Sequence, residues 1–230
     1  MREANPYQLD GNWWNARLGK LTASRMSAAM NFLKSGKESS ERENLRYEVV
    51  AERITNTFAD KYTTSDMQWG VEQEAAAKER FESVTGLIVT DTPFIDHPRI
   101  EFLGCSPDGY VSDGSLIEVK CPKTKTHMKY IANQEVPAEY KPQMTLQAAV
   151  TGKPVWFVSY DPRMGEGKDL FIKKFKPKQY VIIDDLEVGS KMETLEGQDR
   201  YVKTRDREGL KQTGVKEKIL EKIGKIVLED

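Results

Sequence analysis

Apolar positions fall at helical spacing through the first third of this chain. They then gather into short blocks or alternate with polar ones, so helices lead and strands follow. The spacing predicts a helix over residues 22–32, with Thr22 or Ser24 as its N-cap. A polar break at 34–40 separates it from a second helix, 41–58, whose inward stripe carries Leu45, Val49 and Ile54. An alanine-rich third helix, 66–84, ends at Gly86. Four strands are predicted next, at 87–95, 101–105, 109–112 and 115–121. Helices follow over 125–133 and 137–150, then strands over 154–160 and 170–176, joined by the Pro- and Gly-rich 161–167. From 178 the chain reads as helical again, with interruptions near Gly197 and in the polar stretch to Thr213. The last helix, 215–228, aligns Ile219, Leu220, Ile223, Ile226 and Val227 on one face, for its own domain or for a subunit or partner. Strands bracketed by helices, without repeats or low-complexity segments, point to the α/β class: a single domain over 1–230 with a central mixed β-sheet flanked by helices.

Within the strand block lies Ser106-Pro107-Asp108-Gly109, and Glu118-Val119-Lys120 begins ten residues after the aspartate. Side chains alternate along a strand, so Glu118 and Lys120 share a face while Val119 points away. Asp113-Gly114 signals a hairpin. With Ser112-Asp113-Gly114 as a three-residue loop and Gly114 left-handed, Val111 pairs with Ser115 and Asp108 falls opposite Glu118. An even loop would put the two acids on opposite faces. Directly opposed Cβ atoms lie roughly 5 Å apart, where two carboxylates repel. A divalent cation between them removes that penalty. Hard cations such as Mg²⁺ take carboxylates, carbonyls, waters and phosphate oxygens, which offers the Val119 C=O as another donor. Such an ion lowers the pKa of a bound water and polarises a phosphoryl oxygen, and a lysine beside it can orient that water or offset charge on the phosphate. The pattern is the sequence form of a metal-dependent phosphodiester-cleaving site. The plain alternative is a solvent-facing hairpin in which Glu118 and Lys120 are merely neighbours.

Composition narrows this only a little. At 230 residues the chain can hold one large core or two small ones, and with 38% hydrophobic and 31% charged residues it reads as globular with a heavily charged surface. No apolar run approaches membrane-spanning length, and residues 1–10 lack the apolar stretch of a signal peptide. Cys105 and Cys121 are expected as buried, reduced small hydrophobes, and with His97 and His127 they offer no zinc or iron–sulfur spacing and no nucleophilic triad. The net charge of −1 weighs against a nucleic-acid binder, which usually shows a basic excess. Lys120, Lys123, Lys125 and Lys129 supply a local basic cluster that reads equally as a DNA lining or a solvated helix face.

Other candidates are weaker by spacing alone. Glu74, or Glu72, could bring a third carboxylate from a helix packed on the hairpin; both also read as ordinary surface acids. Arg17, with Thr22 and Ser24 at a helix N-terminus, would suit a terminal phosphate, against plain capping. Trp13 or Trp14 could stack on a base or sit in the core. Gln143 and Gln147, four apart on one helix face, reach the site or face solvent.

Taken together, these pieces resemble the phage-lambda-type alkaline exonucleases of viral recombination. The matching residues are Trp13 with Arg17-Leu18-Gly19 and Thr22-Ala23-Ser24; Trp69-Gly70 with Glu74; Cys105-Ser106-Pro107-Asp108-Gly109; Ser112-Asp113-Gly114; Glu118-Val119-Lys120-Cys121-Pro122; Gln143; and Tyr160-Asp161-Pro162-Arg163-Met164. They span roughly residues 13–180, leaving a C-terminal segment of about 178–230 expected as helical. The resemblance implies a restriction-endonuclease-like core and two Mg²⁺ ions per active site, with Mn²⁺ able to substitute. It implies processive 5′→3′ digestion of one strand of linear duplex DNA, which leaves 3′ single-stranded tails. It also implies a homotrimer ring around the DNA, a single-strand annealing protein as partner, and a place in the cytoplasm of a bacterial host as a phage or prophage product. By the same resemblance Glu74, Asp108, Glu118 and the Val119 carbonyl would bind metal, Lys120 would assist the attacking water, and Gln143 would line the site. Arg17 and Ser24, with Thr22 nearby, would hold the 5′ phosphate, and Trp13 matches better than Trp14 because it keeps the four-residue step to Arg17. One departure stands out: the family's basic position after Lys120-Cys121-Pro122 falls on Thr126 here, beside Lys125. An endonuclease or junction resolvase would use the same acids, and a non-catalytic DNA-binding recombination module would keep the fold without the reaction.

Overall fold

The computed structural model describes residues 11–58 and 64–177 with side chains, and 180–185, 189–193 and 199–202 as backbone strands. Helix α1 (Gly11–Arg17) leads through β1 (Leu21–Thr22) and a 3₁₀ turn (Ala23–Arg25) into the short α2 (Met26–Ala29). Two long helices follow, α3 (Ser40–Thr55) and α4 (Ser65–Thr85). Ser39 caps α3 by accepting from the Arg42 N–H, and Asn56 closes it in the left-handed region. Thr64 caps α4 by accepting from the Met67 N–H, and Gly86 ends it. Next come β2 (Val89–Thr90), β3 (Ile95–Asp96), β4 (Leu103–Cys105), β5 (Gly109–Val111) and β6 (Leu116–Lys120). Helices α5 (Thr124–Asn133) and α6 (Lys141–Thr151) connect β6 to β7 (Val155–Tyr160), and β8 (Leu170–Phe175) pairs back on it.

A five-stranded mixed sheet, ordered β2-β5-β6-β7-β8, forms the centre. Only β6 and β7 run parallel in it, as a crossover through two helices requires. Helix α4 packs Ala77 and Phe81 on one face against Ile117, Val119 and Val158. Helix α6 packs Met144 and Ala148 on the other face against Leu116, Val155 and Phe157. A third apolar cluster joins Leu146 and Val150 of α6 to α2, α3 and a small β1-β4-β3 sheet. Because α6 contributes to two clusters and the central sheet to two, the three cores are continuous. This is the α/β architecture expected from the order of elements.

Several local expectations give way to longer-range pairing. The helix predicted over 22–32 reduces to Met26–Ala29, because Leu21 and Thr22 pair in parallel with Leu103 and Gly104. Neither Thr22 nor Ser24 caps a helix; Thr22 has extended backbone and accepts no capping bond. On α3, Leu45 and Val49 face inward but Ile54 is 79% exposed, and the inward positions beside them belong to Arg42 and Glu52. The strand predicted over 87–95 splits between two sheets. Beyond 178, where helix was expected, Tyr180–Asp185, Gly189–Glu193 and Asp199–Val202 form an antiparallel β9-β10-β11 meander. The first of these is β-branched in three successive positions, Val181, Ile182 and Ile183, a strand composition. The helix expected over 215–228 lies outside the described residues.

The tip of the β5–β6 hairpin is tied to β7 and β8. Asp113 accepts from the Ser115 N–H at 3.0 Å, the Trp156 indole N–H at 3.0 Å and the Lys174 ammonium at 2.8 Å. Burial alone would raise its carboxyl, but these donors outweigh it and hold the group at about 2, below its ordinary 3.8. A depressed folded-state value stabilises the protein above the unfolded value and ceases to as pH falls through the folded one. Asp113→Asn should therefore lower stability at pH 7 by about 1 kcal/mol, a figure reduced for water screening at the hairpin tip, and should flatten the wild-type loss between pH 4 and pH 2. Urea midpoints across that range would check it.

Candidate active site

The β5–β6 hairpin has the register that its turn residues predict. Gly109 pairs with Ile117 and Tyr110 with Leu116, so Val111 meets Ser115 and Asp108 stands opposite Glu118. Gly114 takes φ +85°, its N–H donates to Val111 O at 2.9 Å, and the Val111 N–H donates to Ser115 O at 2.8 Å. A Cβ-bearing residue would be strained there, which explains the glycine.

Glu118 is 1% exposed in the middle of the sheet, so its charge needs donors. Oε1 accepts from the Lys120 ammonium and from Gln143 Nε2 at 2.6 Å, and Oε2 accepts from Gln147 Nε2 at 2.5 Å. The two glutamines stand one turn apart on α6 and both turn inward. Asp108 Oδ2 accepts from the Val119 N–H at 2.6 Å, locking the loop before β5 onto the neighbouring strand. Glu74 enters from α4 and takes the Lys78 ammonium on Oε1 at 2.6 Å.

These groups feel one another. Burial first, then the Asp108 charge, pushes Glu74 up to about 7 against the pull of Lys78, with Glu118 adding to the rise. Burial also pushes the Glu118 carboxyl up; Lys120 pulls it down and Asp108 adds to the rise. Burial opposes the Lys120 charge, yet Glu118 and Asp108 more than restore it, so its ammonium stays protonated far above neutral pH. The three acids and the lysine selected from the sequence thus lie near enough to act on one another's charge.

A second cluster adjoins it. The Arg17 guanidinium donates to Ser106 Oγ at 3.1 Å, Thr22 Oγ1 at 3.4 Å and Ser24 Oγ at 3.0 Å. Its plane lies over the Trp13 ring, 4.2 Å from the centroid, so Arg17 covers one face of that indole. Burial, with the nearby Arg25 guanidinium, lowers Arg17 to about 10, still fully charged at neutral pH. The helix N-terminus imagined here is absent, since Thr22 closes a strand and Ser24 sits in a 3₁₀ turn. What remains is a guanidinium fork ringed by three hydroxyls, a donor set suited to a phosphate.

Among the described residues, no three carboxylate, imidazole or thiol side chains surround a single point closely enough to chelate one ion by themselves. Mg²⁺ asks for less: one or two carboxylates, with waters and phosphate oxygens completing the shell. The donors present are all oxygens, and Glu74 and Glu118 are raised by burial first and then by the Asp108 charge, negative charge that a divalent cation would relieve. The residues fit the ion.

Residues 12–154 match the YqaJ-like viral recombinase domain. The chain belongs to that family. Its fold matches the crystal structure of an alkaline exonuclease, LHK-Exo, from Laribacter hongkongensis, at 40% identity and TM-score 0.66 over 72% of this chain and 81% of that one. A second structure of LHK-Exo, in complex with dAMP, matches equally well at 40% identity and TM-score 0.66, covering 72% of this chain and 82% of that one. A phage-related exonuclease from Haemophilus somnus 129PT, at 16% identity and TM-score 0.51 over 68% of this chain and 83% of that one, shares the fold. No curated protein sequence matches significantly.

Within this recombinase-family fold, some sequence candidates fall outside the pocket. Glu72 is exposed and accepts from Gln68 at 3.1 Å along its own helix. Of the four clustered lysines, Lys120 turns into the site; Lys123 pairs with Asp66 at 2.9 Å on the surface, and Lys125 and Lys129 are exposed. Cys105 and Cys121 are free thiols, buried and half-buried. His127 is fully buried between Ser159 Oγ at 2.7 Å and Lys168 O at 2.9 Å, a structural position. Asp161-Pro162-Arg163 is held by an ion pair of its own. Buried Asp161 binds the Arg163 guanidinium at 2.7 and 3.0 Å, and that guanidinium reaches Pro122 O at 3.4 Å and lies 4.9 Å from the Trp69 ring. The motif braces the exit of β6 against α4. Lys78 donates to Glu74, Ser106 accepts from Arg17, and Glu52 accepts from Arg25, although spacing alone marks none of the three. No helix among the described residues is long and apolar enough to cross a membrane.

Proposed function

We propose that this chain is a Mg²⁺-dependent exonuclease that digests one strand of linear double-stranded DNA from its 5′ end and leaves a 3′ single-stranded tail for recombination by annealing. The observation that carries the reading is the bond from Arg17 Nη1 to Ser106 Oγ at 3.1 Å, two residues before Asp108. It supports the reading because it ties the guanidinium, a donor suited to phosphate, to the loop that carries Asp108, as an enzyme that cuts one nucleotide in from a phosphorylated end would need.

Glu74, Asp108, Glu118 and the Val119 carbonyl would hold the metal. Bound there, Mg²⁺ supplies an activated water and polarises the scissile phosphate. Lys120 serves as a fixed positive charge that orients the water and offsets charge building on the phosphate. Gln143 and Gln147 hold the Glu118 carboxylate in plane. Arg17, Thr22, Ser24 and Ser106 receive the 5′ phosphate, and Trp13 fixes the plane of Arg17. A homotrimeric ring, processive digestion and an annealing-protein partner belong to this reading through the family resemblance.

A linear duplex labelled separately at each 5′ end, with and without the 5′ phosphate, tests the proposal. Digestion from both 5′ ends in Mg²⁺, slower on dephosphorylated ends and abolished by EDTA, is the expected result. Cutting of closed circular DNA would favour an endonuclease instead. Binding to duplex ends without any digestion would favour a non-catalytic module.

A further inference from the structure

Lys78 is 1% exposed, on the same face of α4 that drives Ala77 and Phe81 into the core. A buried ammonium is tolerated only when its donors are met by charge or hydrogen bonds. Its Nζ donates to Glu74 Oε1 at 2.6 Å on one side and to Asp91 Oδ1 at 3.0 Å on the other, Asp91 lying between β2 and β3. Carboxylate, ammonium and carboxylate form a row with a buried centre and partly exposed ends, side-chain exposures being 16%, 2% and 20% from Asp91 to Glu74.

We propose that Lys78, gripped from behind by Asp91, is a positioning residue that keeps the Glu74 carboxylate turned toward Asp108 and Glu118. The inference rests on Glu74 being an ion ligand, as in the proposed function. Two effects oppose each other here. An ammonium near a divalent cation repels it, so charge counting alone has Lys78→Met bind the ion more tightly. Glu74 released from Lys78, however, is repelled by two neighbouring carboxylates and rotates out of the pocket. Groups that orient a metal's ligands commonly govern about 10- to 100-fold of its affinity. Orientation therefore prevails.

Mn²⁺ titration of the full chain without DNA, read by the EPR signal of the free ion, separates the outcomes. The variants are Glu74→Gln, Lys78→Met, Lys78→Arg and Asp91→Asn, each melted in EDTA to confirm folding. Lys78→Met should bind Mn²⁺ about tenfold more weakly. Asp91→Asn should lose less in the same direction, and Lys78→Arg should recover most of the affinity. Unchanged or tighter binding by Lys78→Met, with Glu74→Gln weakened, overturns the positioning role alone. Unchanged binding by Glu74→Gln removes the ligand assignment beneath it. Should Lys78→Met fail to fold, Asp91→Asn decides, and wild-type affinity in that variant overturns the proposal.

Discussion

Lys120→Ala should slow digestion of a linear duplex about 1,000-fold while leaving affinity for the duplex end nearly unchanged. The ammonium is bonded to Glu118, lies 5.3 Å from the Tyr140 ring centre, and is kept charged by Glu118 and Asp108. A group protonated that firmly is a poor general base at neutral pH. Its use is as a fixed charge and donor, and that use grows as charge accumulates on the reacting phosphate, which places the loss in the chemical step. Lys120→Arg keeps the charge but spreads it over a planar fork on a different stem, so it should recover only part of the rate. Single-turnover digestion in Mg²⁺, with fluorescence anisotropy of a labelled duplex end in EDTA, checks both halves. Equal loss of rate and end-binding would assign Lys120 to holding DNA rather than to chemistry. Melting in EDTA must accompany it, because truncation leaves Glu118 buried with only amide donors.

The catalytic hairpin is legible in the sequence because its geometry is decided locally. A three-residue turn ending in a left-handed glycine sets the register, and the register alone puts Asp108 across from Glu118. Gln143 and Gln147 are legible as a pair for the same reason, since helical spacing puts them on one face; that the face is inward depends on β6 and β7 beneath α6. Lys78 shows the opposite case. Spaced four residues after Glu74, it has the form of a surface ion pair, and its burial follows from Asp91 arriving from a segment beyond the helix. Thr22 and Ser24 likewise have the composition of a helix cap, but β4, some eighty residues on, recruits Leu21 and Thr22 into a parallel pair. Pairing over that distance leaves no periodic trace in the strand it captures. Beyond 178, polar residues mask the β-branched run at Val181–Ile183, and a meander of short polar strands is hard to tell from broken helix by hydrophobic period.

Glu52→Ala should lower stability by about 3–5 kcal/mol, a drop of about 10 °C in melting temperature, and should erase the preference for phosphorylated 5′ ends in whatever protein remains folded. Glu52 has the place of a helix-surface acid on α3, yet it is 1% exposed. It binds the Arg25 guanidinium through both carboxylate oxygens and accepts from the Gly19 N–H at 3.0 Å. Arg25 also donates to Lys20 O at 3.0 Å, and Arg53, one residue on from Glu52, donates to Gly19 O at 2.8 Å. Helix α3 thereby clamps the turn from Arg17 to Lys20. Gly19 holds φ +65° there, and an added Cβ would lie 2.6 Å from Arg53 Cγ. Removing Glu52 leaves the 9%-exposed Arg25 guanidinium with the half-exposed Glu48 at 3.0 Å and the Lys20 carbonyl, and strips the Gly19 N–H of its acceptor. Breaking one partner of a buried pair is costly because the other charge stays buried. The freed turn no longer fixes Arg17 against Ser106, so the phosphate pocket loosens although none of its own side chains has changed. Arg17→Ala separates the two consequences: it should abolish the end preference while the melting temperature stays close to wild type. If Glu52→Ala instead melts with wild type and still favours phosphorylated ends, the clamp contributes neither stability nor alignment.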